Sequence, residues 1–282
     1  MIVRDKNVRE FLLNIESLLY QNEAINSLML GICLDLKLQK DEAARANFFR
    51  VINESGSSVL AAIQTPPYNL ILSPGERPHV VALAAYLNEH KFSLPGVVGP
   101  DSATENFVRV WRILSNQECR LGMDQYIYSL TNVILPSVSG YLETAKQEHL
   151  SIVSNWLNAF GQESLPEGEK PLAQDCEDAA KKAISRKNAY LWMIGGSPVS
   201  VAHLGRSTQN GVSIRAVYTP PAHRNRGFGS AVVAHLSKLA LEDGKKFCTL
   251  YSDASNSSAN NIYQSIGYQI VSNSKHFIFS YQ

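Results

Sequence analysis

The chain has 282 residues, enough for two ordinary domains, and its 45% hydrophobic and 18% charged content is that of a globular protein. Its 26 basic and 25 acidic residues leave a formal net charge of +1, so no broad field for nucleic acid or an anionic membrane is expected. Charges interrupt the N-terminal stretch MIVRDKNVREFLLNIESLL and no run of about 18 apolar residues occurs, so neither a signal peptide nor a membrane span is expected. Cys33, Cys119, Cys176 and Cys248 lie far apart, without metal-ligand spacing. They read as free buried thiols in a reducing cytoplasm, and no metal is expected.

In chain order, apolar residues recur at helical spacing through residues 8–38. Residues 46–73 read as strands punctuated by Gly56 and Pro66-Pro67. A helix is predicted over 77–90, a short strand at VVGP, and a helix over 101–115 capped by Asp101 or Ser102. Residues 119–135 read as extended. A helix around Leu142–Phe160 and another over 172–187 precede three strands, AYLWMIG, PVSVAHLGR and GVSIRAVYT. Gly195-Gly196 and Asn210-Gly211 mark the turns between these strands. A helix over 228–243 is followed by Gly244, then a strand KFCTLYS, a helix over 257–266, and two strands, YQIVS and HFIFSY. The fold class is therefore α/β, or α+β: a mixed, mostly antiparallel sheet flanked by helices.

An internal echo suggests two related lobes. Ala62-Ile63-Gln64-Thr65-Pro66-Pro67 matches Ala216-Val217-Tyr218-Thr219-Pro220-Pro221. In both halves there follow an apolar helix, a strand led by Phe92 or Phe247, and a helix carrying Ser102-Ala103 or Ser258-Ala259. The expected division is 1–140 and 141–282.

The residues with the clearest chemistry are Arg224-Asn225-Arg226-Gly227-Phe228-Gly229-Ser230, joining a strand ending at Thr219 to a helix. A glycine-rich entry to a helix presents several backbone N–H groups and the positive end of the helix dipole, a cradle for pyrophosphate. A dinucleotide fingerprint would need a third small residue where Val232 stands, and a nucleoside-triphosphate loop would need Gly-Lys-Ser/Thr. A plain glycine turn with two solvated arginines is the alternative.

VYTPPAHRNRGFG resembles the acetyl-CoA signature of the GNAT superfamily, and Asn256 to Tyr268, with Tyr263 seven residues after Asn256, is similar to its final segment. The resemblance covers roughly 141–282. It implies a GNAT fold and an acetyl-CoA-dependent N-acetyltransferase that uses acetyl-CoA as co-substrate and a small-molecule or peptide amine as acceptor, attacked directly in a ternary complex. It also implies that Val217, Tyr218 and Thr219 line the pantetheine arm and that Arg224, Asn225, Arg226, Gly227, Phe228, Gly229 and Ser230 form the pyrophosphate site. Asn256 would bind the cofactor, and Tyr263 would touch it and act as general acid toward the departing thiolate. Tyr263 as a packing aromatic is the alternative. For the base, Glu163 and His203 are candidates, with His223 a third. A non-catalytic acyl-CoA-binding sensor is the alternative function. The N-terminal lobe departs from the pattern: Tyr68 to Gly75 carries no such loop, and Phe107 stands near the place of the tyrosine. It reads as a degenerate lobe that binds no CoA and walls the acceptor site.

Overall fold

The structure is a computed structural model that describes residues 1–38 and 45–281. The chain divides into two compact units. The first comprises Met1–Ile127 with Asp253–Ser255 and Ile270–Gln282, and the second Tyr128–Ser252 with Asn256–Gln269.

In the first unit, β1 (Ile2–Asp5) leads to α1 (Val8–Tyr20) and α2 (Ser27–Leu38). The helical pattern over 8–38 is thus two helices, and between them buried Asn26 donates to the Leu19 carbonyl. Asn7 caps α1, its side chain accepting from the N–H groups of Arg9 and Glu10. Strands β2 (Asn47–Ile52), β3 (Ser58–Gln64) and β4 (Leu70–Leu72) follow, then α3 (Arg77–Glu89), β5 (Gly96–Pro100), α4 (Asp101–Ser115) and β6 (Glu118–Leu130). Helix α4 begins at Asp101, with Pro100 in the capping position and no side-chain cap, one residue before the earlier of the two expected caps.

Strand alternation divides the apolar residues of this sheet between two cores. Phe48, Ala61 and Ile63 face α1 and α2, whereas Phe49, Val51, Leu60 and Ala62 pack with α3 and α4. Burying each large apolar side chain contributes about 1.5–3 kcal/mol. Phe107 on α4 stacks on Trp111 and Phe279 at ring-centroid distances of 5.5 and 6.5 Å, so it serves this core.

The second unit repeats the order. Strand β7 (Tyr141–Thr144) precedes α5 (Leu150–Ser164), α6 (Ala173–Ser185), β8 (Ala189–Ile194), β9 (Ser197–Ser207) and β10 (Gly211–Tyr218). Helix α7 (Phe228–Glu242), β11 (Phe247–Asp253) and α8 (Ser257–Ser265) complete it, and the last strand, β12 (Gln269–Ser280), belongs to the first unit. Pairing repeats as well: β1–β2–β3–β4 and β7–β8–β9–β10 are antiparallel, and β4–β5 and β10–β11 are parallel. The sheet order is β1-β2-β3-β4-β5-β12-β6 in the first unit and β11-β10-β9-β8-β7 in the second.

Three expectations change. The segment from Leu142 starts as strand β7, not helix, because residues 141–144 pair with 190–193. The two final strands are one, β12, whose Ser274–Ile278 pair with Pro100–Gly96 of β5. The Ala-x-x-Thr-Pro-Pro echo joins non-equivalent strands: in the repeated order β10 corresponds to β4, whereas Ala62–Gln64 ends β3. The downstream correspondence of α3 with α7 and α4 with α8 does hold.

All four cysteines are buried and free. No helix of the described residues is long and apolar enough to cross a membrane, and no described cluster of His, Cys, Asp and Glu could hold a metal ion.

Candidate active site

Strand β10 carries an irregularity. Arg215 pairs with His203 and Tyr218 with Val201, so Ala216 and Val217 stand opposite the single residue Ala202. This is a β-bulge, with Ala216 at φ +47°. The parallel pairing of β10 with β11 covers only Gly211–Ser213 against Phe247–Thr249. Beyond it β10 runs on to Tyr218, and a cavity of about 560 Å³ lies beside that last stretch.

The cavity floor is the start of α7. Gly227 occupies the capping position at φ +77°, where a Cβ would come within 2.9 Å of Val138 Cγ2. The first bond one helical turn back runs from Ala231 N–H to the Gly227 carbonyl at 2.9 Å. The N–H groups of Phe228, Gly229 and Ser230 precede it and have no carbonyl of the helix to meet. All three residues line the cavity with Gly227, Arg224 and Asn225, the last at φ +61°. Arg226 does not line it; its guanidinium lies 4.9 Å from the Phe228 ring centroid. A Cβ on Gly229 would reach Thr219 Oγ1 at 3.4 Å, ordinary contact, so the glycine leaves open space in the cavity wall.

Helix α8 supplies the opposite wall. Asn256 caps it, its Oδ1 accepting from Ala259 N–H at 3.0 Å, and lines the cavity with Ser258, Ala259, Ile262 and Tyr263. Tyr263 is 9% exposed and sits against the rings of Tyr128 and Tyr268, 5.9 and 6.2 Å away. Burial pushes its phenol up to about 12, and the neighbouring Tyr128 adds to this, so the proton is held at any physiological pH. Gly267, at φ +106°, gives the turn after α8; a Cβ there would strike the Asn132 carbonyl at 2.6 Å.

The third side comes from the end of α5, with Phe160, Glu163 and Ser164. Glu163 accepts from Tyr218 Oη at 2.9 Å and from Arg224 at 2.7 Å. Arg224 also donates from Nε to the Thr219 carbonyl at 2.9 Å, and its guanidinium lies 5.6 Å from the Tyr218 ring centroid. Burial, and then the bonded Glu163 carboxylate, raise the Tyr218 phenol above its ordinary value.

The predicted residues Val217, Tyr218, Thr219, Arg224, Asn225, Gly227, Phe228, Gly229, Ser230, Asn256 and Tyr263 thus meet around one cavity, and Glu163 and His223 border it. His203 does not. It is 1% exposed on β9, with Nδ1 bonded to the Ala216 carbonyl at 3.4 Å. The lining contributed by Phe160, Ser164, Ser258 and Ile262 was not anticipated. Phe160 and Ser164 flank Glu163 on one helical turn, which is the only local sign of them.

A sheet in which a bulged strand parts from its parallel neighbour, above a helix entered through glycines, is the architecture of a GNAT fold. Solved structures agree over the whole chain. A GNAT-family acetyltransferase from Colwellia psychrerythraea matches at 15% identity and TM-score 0.58, covering 100% of both chains. A Drosophila protein matches at 13% and 0.64, over 97% of this chain and 95% of its own. A GCN5-related N-acetyltransferase from Sphaerobacter thermophilus matches at 13% and 0.63, over 98% and 94%. Residues 200–277 match the family described as FR47-like protein. No curated protein matches the chain. The chain therefore has the GNAT fold throughout, and the family match lies within its C-terminal half, over residues 200–277.

Proposed function

We propose that this chain is an N-acetyltransferase that moves the acetyl group of acetyl-CoA to a primary amine on a small molecule or peptide. One observation carries this reading: the open N–H groups of α7, the parted end of β10 and the buried Tyr263 border the same cavity. Acetyl-CoA would supply an activated thioester, and the lining fits it in kind. The first-turn N–H groups of α7 suit a pyrophosphate, and Gly229 lets the phosphates approach closely. The unpaired stretch of β10 at Val217 and Thr219 suits the amide-bearing pantetheine arm, added as a strand would be. Asn256 Oδ1 is committed to its helix cap, which leaves Nδ2 to donate to the cofactor.

Tyr263, protonated throughout, donates its proton to the departing sulfur in this reading. Glu163 is the better proton acceptor for the amine, because it borders the cavity and His203 does not. In this reading the degenerate lobe takes most of residues 1–140 and the catalytic one most of 141–282, with β12 returned to the first unit. In the first, the link from β4 to α3 spans only residues 73–76, and the N–H groups of His79 and Val80 are bonded to Glu76, leaving no cradle there. Four free cysteines suit a reducing cytoplasm.

Calorimetry tests the reading. Acetyl-CoA is expected to bind with a stoichiometry of about one. Gly229→Asp, whose Cβ the fold accommodates but whose carboxylate would face the pyrophosphate, is expected to abolish binding without lowering the melting temperature. Equal affinity in the two proteins would remove the assignment. Thiol release across an amine library then separates an enzyme from a binding module.

A further inference from the structure

We infer that His203 is a positioning residue for the acyl-CoA arm: its Nδ1–H grips the Ala216 carbonyl and holds the β10 bulge in the register that turns Val217 to the cavity. This inference rests on the acetyl-CoA reading above.

Ala216 is a non-glycine residue at φ +47°, a region that costs an L-residue energy and persists only where its surroundings impose it. It has no glycine's freedom, and it lies between two register points, Arg215 opposite His203 and Tyr218 opposite Val201. The bond to its carbonyl comes from His203, on the strand that the bulge faces. A carbonyl only accepts, so Nδ1 must carry the proton and Nε2 is the bare lone pair. Nε2 is buried and has no hydrogen-bond partner among the described residues. An apolar side chain would fill such a place without stranding a polar atom, so the position keeps histidine for what Nδ1 does. Burial, and next the nearby Arg215, lower its basicity to about 4, so the ring stays neutral and the tautomer is fixed by this one bond. Without the grip, the strand is free to slip towards regular pairing. A one-residue slip would turn Val217 and Thr219 away from the cavity they line.

Two amide substitutions isolate the bond. The Nδ2 of asparagine falls close to the place of the histidine Nδ1, whereas the Nε2 of glutamine falls close to the place of Nε2. His203→Asn is expected to keep acetyl-CoA affinity within about 3-fold of the parent protein. His203→Gln is expected to lose about 10-fold, the equivalent of one hydrogen bond. Adding Ala216→Gly to His203→Gln should restore most of that loss, since glycine adopts the positive φ unaided. Calorimetry on the full chain measures all four proteins, with melting curves to establish that each is folded. Equal affinities for the Asn and Gln variants would overturn the role of His203. If the unsubstituted chain binds no acetyl-CoA, it is the proposed function that falls.

Discussion

Tyr263 and His203 are both buried, and burial acts on them in opposite directions. It raises the phenol, so Tyr263 keeps its proton, and it lowers the imidazole, so His203 stays neutral. Once an acceptor is known, Tyr263→Phe is expected to lower turnover by ~100-fold with little change in acetyl-CoA affinity. Turnover within a factor of two would leave Tyr263 as packing between Tyr128 and Tyr268. For His203 the linkage has a definite sign. Its native value of about 4 lies below the ordinary 6.5, so between these limits the unfolded chain binds more protons than the folded one. Stability from this site is full above pH 6.5 and is lost as pH falls towards 4, by up to about 1.4 kcal/mol per unit. Arg215 sharpens the effect by opposing a second positive charge. Denaturant melts between pH 7 and 5 should show a shallower decline in His203→Asn, and parallel curves would refute this. The spacing of the glycine loop and of Asn256 with Tyr263 made most of this site readable. The role of His203 was not, because it depends on a bond to a residue 13 positions away, across a strand pair.

At the scale of elements, the site depends on how α7 begins and how β10 ends. Gly227 is the capping residue in a left-handed conformation, with Val138 close behind it. Gly227→Ala is expected to cost about 1–2 kcal/mol from the backbone alone. A lower denaturant midpoint at unchanged slope would show it. Unaltered stability would mean that the loop has another way into the helix. The helix over 228–243 was legible because its apolar face repeats at helical spacing and a glycine follows it. The bulge and the parting of β10 from β11 were not, since neither leaves a local mark in GVSIRAVYT. The strands β1 and β7 were missed for a related reason. Each has four residues, and each acquires its conformation from a partner about 50 positions away, 51 opposite 2 and 193 opposite 141.

For the whole molecule, the last strand matters most. β12 follows the second run of elements, yet its Ser274–Ile278 pair with β5, and Phe279 belongs to the core around Phe107 and Trp111. A fragment of residues 141–282 would therefore carry a strand with no partner and an aromatic core residue with no core. It is expected to melt without a cooperative transition and to aggregate, whereas the full chain melts cooperatively. A sharp calorimetric transition in the fragment would show that β12 can be satisfied locally.

By itself, the sequence determined the two-lobe pattern, the helix and strand periods, the glycine-rich entry to α7 and the tyrosine of α8. All of these are written in spacings of a few residues, where local sterics and burial dominate. Only the tertiary structure decided the repeat's true register, in which β10 answers β4, the destination of β12, and the meeting of Glu163 with Tyr218 and Arg224. These depend on strand pairing and on contacts 55 or more residues apart, whose energies no local pattern encodes.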